Sequence, residues 1–75
     1  MSGLFRDNIP KRTKDTQSGM EYQSRNAAGK AVAPEFGLRI TDYVWFDVLR
    51  LAREGRFTDI ETGRVILRTG RLADT

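Results

Sequence analysis

Cysteine and histidine are both missing from this 75-residue sequence. Without cysteine there is no disulfide framework. Without either residue there is no zinc site of the common Cys/His type. No apolar run approaches the ~18 residues that a membrane span needs. The N-terminal stretch MSGLFRDNIPKRTK holds no long apolar segment, so no signal peptide is expected. Together these absences point to the cytoplasm, that of a host cell if the chain is viral.

The same gaps narrow the chemistry. With no histidine or cysteine, an active site would have to use carboxylates, Lys, Tyr, Ser or Thr. Asp42 and Asp47 stand five apart, which turns them away from each other on a helix, so they form no acid–base pair. Asp59-Ile60-Glu61-Thr62-Gly63 echoes the start of a calcium loop, but the twelfth position is Gly70 rather than Glu. Gly63 and Gly70 frame no phosphate loop, because Arg71 and Leu72 stand where Lys and Ser or Thr are needed. The expectation is a protein that is not an enzyme and uses no cofactor and no metal.

What the sequence does hold is an arginine bias. Ten Arg stand against three Lys, with a net charge of +3. Arginine is favoured where carboxylates or phosphates are gripped bidentately, or where a guanidinium stacks on a ring. A small basic chain suits contact with nucleic acid or with an acidic protein face.

Character divides the chain into parts. Residues 1–35 read as a flexible basic tail: polar, Gly- and Ser-containing, and without a sustained hydrophobic period. Pro10 and Pro34 bias their predecessors away from helix. Within the tail, Leu4 to Ile9 and the Met20/Tyr22 pair are the apolar exceptions. Residues 36–72 read as a small folded α+β domain, and residues 73–75 should fray. Phe36 to Ile40 alternates like a strand. Thr41 or Asp42 offers an N-cap side chain, and a helix should run to about Glu54, stopped by Gly55 in the left-handed conformation. Residues 57–69 then read as a β-hairpin turning through Glu61-Thr62-Gly63, with Ile60 facing Val65, Thr58 facing Leu67, and Glu61 paired with Arg64. A rival reading makes residues 58–69 the second helix of a helix-turn-helix, presenting Arg64, Arg68 and Arg71 to a DNA groove. It sets Gly63 in mid-helix, at a cost of about 1 kcal/mol relative to Ala. The expected fold class is therefore α+β: a strand–helix–hairpin unit, one helix on a two- or three-stranded sheet, with a disordered N-terminal tail.

On the helix, successive residues lie 100° apart. Val44, Trp45, Val48, Leu49, Leu51 and Ala52 fill one arc, the expected core face. Tyr43 and Phe46 fall on the other side, among Arg50 and Arg53. Two rings beside two guanidinium groups is the composition that interface centres favour. These four residues are the candidate partner-binding site. The expected function is a small binding regulator acting on nucleic-acid machinery, by analogy with compact basic chains that phages and mobile elements use to dock on host RNA polymerase. A protein is the expected partner and nucleic acid the alternative, with no membrane contact. Two other functions remain open: direct DNA binding, and a structural subunit with an N-terminal arm in a viral assembly.

Overall fold

A computed structural model describes residues 11–40 and 43–74. Among these residues three short strands and two helices build an α+β fold. β1 spans Thr13–Asp15, β2 Glu21–Tyr22, α1 Arg25–Val32, α2 Trp45–Leu51 and β3 Phe57–Asp59. A 3-10 turn, Ala33–Phe36, follows α1 directly. The sheet order is β2-β1-β3, antiparallel throughout. Isolated bridges, Thr58 to Val65 and Ile66 to Leu72, carry the pairing on toward the C-terminus.

Two loops repeat one design. Asp15-Thr16-Gln17-Ser18-Gly19-Met20 closes the β1–β2 hairpin. Asp59-Ile60-Glu61-Thr62-Gly63-Arg64 closes the hairpin after β3. In each, the Asp carboxylate accepts from the hydroxyl three residues on, at 3.0 Å. In each, the Gly N–H donates to the Asp carbonyl at 2.7 Å, and the Asp N–H bonds the carbonyl five residues on. Gly19 and Gly63 take φ of 81° and 73°, a region that penalises a β-carbon. β1 and β3 are equivalent strands of the two hairpins, and they pair with Lys14 opposite Thr58. The sheet therefore has a local pseudo-twofold at that pair.

α1 lies against the sheet, and α2 packs on α1 and the 3-10 turn, reaching the sheet through Trp45. Ser24 caps α1, its Oγ accepting from Ala27 N–H at 3.1 Å. Pro34 forces the change to a 3-10 turn, and Gly37 N–H to Pro34 C=O with Leu38 N–H to Ala33 C=O close it. α1 buries only Ala28, Gly29 and Val32. That smallness lets α2 approach: a β-carbon on Gly29 would lie 2.8 Å from Trp45 Cα. Trp45 is fully buried and meets Phe57 edge to face, with centroids 5.0 Å apart. Val44, Val48, Leu49, Ala52 and Ile66 complete the core.

Several expectations are corrected. Residues 13–35 are not a tail: they supply two strands, the longer helix and most of the 3-10 turn. Their core residues are Thr13, Ala28, Gly29, Val32 and Ala33, too small or too polar to register as a hydrophobic pattern. The expected strand at 36–40 is absent, because Phe36 ends the 3-10 turn and Gly37 reverses the chain. The helix stops at Leu51 rather than Glu54, with Ala52 already extended. Gly55 does take a positive φ, but in the turn beyond. The C-terminal piece is a hairpin and not a second helix. Its register sets Thr58 against Val65, two residues from the expected pairing. Glu61 pairs with Arg12 at 2.9 Å rather than with Arg64. Ala73 does not fray, since its N–H bonds Val65 C=O. The expected caps Thr41 and Asp42, the apolar stretch Leu4 to Ile9 and Thr75 lie outside the described residues.

Candidate functional site

α2 presents two faces. Val44, Trp45, Val48, Leu49 and Ala52 are buried as the helical period requires. Leu51, expected at the rim of that arc, is instead 55% exposed, because α1 and the 3-10 turn pack on the other flank. Tyr43 and Phe46 are 54% and 43% exposed. Their rings meet edge to face, with centroids 5.8 Å apart and an interplanar angle of 64°. Arg50 Nη2 lies 2.7 Å from Asp47 Oδ1, one turn apart on the surface. Arg53 is exposed just past the helix end. The four candidate residues thus share one outward side, and Leu51 extends it.

Phe46 is backed as well as exposed. A β-carbon on Gly70 would come 3.0 Å from Phe46 Cε1, so one ring edge rests on the turn at Leu67–Arg71. That turn is tied down from two directions. Arg25 Nη1 donates to Gly70 C=O at 2.9 Å, and Arg68 N–H reaches Glu54 Oε2 at 3.3 Å. The aromatic edge is therefore fixed before any partner arrives, which lowers the ordering cost of binding.

A second constellation carried no sequence signal of its own. Arg56 is buried, and its guanidinium is gripped by two carboxylates. Nε and Nη2 bond Asp15 at 2.6 and 3.0 Å, while Nη1 and Nη2 bond Glu35 at 2.8 and 2.9 Å. Arg56 C=O accepts from both Thr16 N–H and Thr16 Oγ1 at 2.8 Å. Burial pushes the Asp15 carboxyl up, but hydrogen bonds from Arg56, Gln17 N–H and Ser18 outweigh it and hold the group below its ordinary range. The hydrogen bonds from Arg56 draw Glu35 down. Those from Glu35 and Asp15 raise Arg56 further. This cluster joins β1, the 3-10 turn and the start of β3, and so locks the first half of the chain to the second.

The cluster also alters the surface. Asp15 and Asp59 are buried inside the fold, whereas Glu35 reaches Arg56 from an exposed position, and among the described residues Arg56 is the single buried cation. The outer surface is thus more cationic than the net charge of +3 suggests. The signal that could have found Asp15 is the matched spacing Asp-x-x-Ser-Gly and Asp-x-x-Thr-Gly, which marks two equivalent turns. Nothing in the sequence singled out Arg56 among ten arginines.

Among the described residues no group of three Asp or Glu side chains gathers as metal ligands, and no helix is long and apolar enough to cross a membrane. Comparison of the chain with protein families, with curated proteins and with solved structures gives no match.

Proposed function

We propose that this chain is a small, non-enzymatic binding protein of the cytoplasm. It docks the outer side of α2 on a protein component of nucleic-acid machinery, such as RNA polymerase, and so regulates transcription. Tyr43, Phe46, Arg50 and Arg53 form the contact, with Phe46 as the anchor. The observation that carries the reading is the Tyr43–Phe46 pair: two rings outside the core arc, partly exposed and already held against the Gly70 turn. Protein interfaces concentrate binding energy in such pre-ordered aromatic and Arg clusters. The cationic surface suits a partner that works beside a polyanion.

The test measures stability and binding on one variant. Phe46→Ala should keep its fold, with Tm lowered by only a few degrees. Its affinity for immobilised RNA polymerase should fall by at least ~30-fold, the equivalent of losing an anchor worth about 2 kcal/mol. Unchanged binding would remove Phe46 from the interface, and an unfolded variant would make it a core residue. A steep fall of affinity with salt, reduced by Arg50→Ala and by Arg53→Ala, would move the contact onto nucleic acid itself.

A further inference from the structure

We infer that the open face of the sheet binds duplex DNA, with Arg12 reading base edges and Lys14 set on the phosphates. This is a second surface, and it does not rest on the docking proposed for α2.

The central pair of strands sorts its charges by face. Thr16 N–H bonds Arg56 C=O at 2.8 Å and Ile60 N–H bonds Arg12 C=O at 3.1 Å. The β1–β3 ladder therefore runs from Arg12 to Thr16 against Arg56 to Ile60. Side chains alternate across such a ladder. Thr13, Asp15, Phe57 and Asp59 are buried on one face. α1 contacts β1 and β2 and shares the core with Phe57, so it covers that face. On the other face Arg12 and Lys14 are exposed, and Thr58 and Ile60 are half-buried. The two aspartates of the ladder thus point inward, and its two exposed cations point outward. Glu21 stands opposite Lys14, and Glu61 holds Arg12. Lys11 and Arg64 are exposed at the Arg12 end. Four cations against two carboxylates leave this face positive, as a polyanion requires.

The pseudo-twofold at the Lys14–Thr58 pair singles out Arg12. It relates Arg12 to Arg56 as it relates Asp15 to Asp59. Arg56 turns its guanidinium inward onto Asp15 and Glu35. Arg12 stays outside, and among the described residues its side chain makes one bond, Nη2 to Glu61 Oε2 at 2.9 Å. The rest of its donor fork is free for guanine O6 and N7, which arginine grips bidentately. Arg12 shares a shallow groove of about 160 Å³ with Gln23 and Ile60. A Gln amide matches adenine, and an apolar side chain matches the thymine methyl. A two-stranded ribbon fits the ~12 Å major groove of B-DNA. The deep, narrow major groove of duplex RNA does not admit side chains in this way.

Fluorescence anisotropy of a labelled random-sequence DNA duplex, titrated with the full chain at several salt concentrations, tests the inference. The wild type should bind, with affinity falling steeply as salt rises. Lys14→Ala should weaken binding and reduce the salt slope by about one. Arg12→Ala should weaken binding by at least ~5-fold. Glu61→Gln releases Arg12 and should tighten binding, which a purely structural ion pair would not do. All three positions are exposed, so the variants keep the fold. A wild type that does not bind the duplex overturns the inference. So does binding that Arg12→Ala and Lys14→Ala leave unchanged, or tighter binding of a duplex RNA of the same length. Loss of DNA binding on Arg50→Ala and Arg53→Ala instead would move the nucleic acid to α2 and remove it from the sheet. Phe46→Ala alters neither Arg12 nor Lys14, so failure of polymerase capture and failure of DNA binding are read separately.

Discussion

Arg56→Ala is the sharpest perturbation this fold offers. The side chain makes four hydrogen bonds to two carboxylates, and it is buried together with Asp15. Its removal leaves the Asp15 charge inside without a cation. Breaking a buried pair in this way costs about 3–5 kcal/mol. A chain of this length has a total stability of roughly 4–11 kcal/mol. The variant should therefore be marginal, with Tm lowered by at least ~15 °C. The pH dependence supplies a sign as well as a size. In the wild type the folded Asp15 and Glu35 titrate below their ordinary values of 3.8 and 4.5. The unfolded chain then takes up protons first. The stability these groups contribute is complete above those values and is lost as pH falls through the folded ones. Without Arg56, burial still pushes the Asp15 pKa up and only Gln17 N–H and Ser18 Oγ oppose it, so the group titrates higher than in the wild type. The stability lost as pH falls through the acid range should therefore be smaller in the variant. For the same reason Asp15→Asn should destabilise the wild type but partly rescue Arg56→Ala. Urea denaturation of the four proteins at several pH values measures all of this. A loss below ~1 kcal/mol, with an unchanged acid limb, would show that the cluster behaves as a surface ion pair. That result would refute its role as the lock between the two halves.

The remaining predictions address packing, turn geometry and order. Gly29→Ala should cost about 1–3 kcal/mol in chemical denaturation, because its methyl meets the Trp45 backbone at 2.8 Å and backbone cannot rotate away. Gly63→Val should cost about 1–3 kcal/mol, since φ of 73° is strained for a β-branched residue although nothing crowds the site. Leu51→Ala should leave dilute-solution stability within ~0.5 kcal/mol, in contrast to Leu49→Ala at about 2–4 kcal/mol, which a thermal melt separates. The amide of Thr16, bonded to Arg56 C=O, should exchange with deuterium as slowly as those of β3. Fast exchange there would restore the flexible reading of residues 13–35.

The sequence by itself determined the parts whose cause is local. The inner arc of α2 follows from period 3.6, and Val44, Trp45, Val48, Leu49 and Ala52 are buried as that period requires. The turn at Gly63 follows from a residue that tolerates positive φ between two β-prone runs. The exposure of Tyr43 and Phe46 follows from their place on the same wheel. Tertiary structure alone decided the rest, because the stabilising contacts join residues far apart in the chain. Thr13, Ala28 and Gly29 look like tail residues until the sheet closes around Thr13 and α2 packs against α1. Their value lies in how closely they let large neighbours approach, and hydropathy does not measure that. Phe36 to Ile40 alternates like a strand yet has no strand to pair with, while β1 finds β3 across more than forty residues. Leu51 falls outside because neither the sheet nor α1 reaches its flank. Arg56 becomes the lock only when β1 and the 3-10 turn deliver Asp15 and Glu35 to it. A buried ion cluster depends on where three separate segments meet, and no window of sequence contains all three.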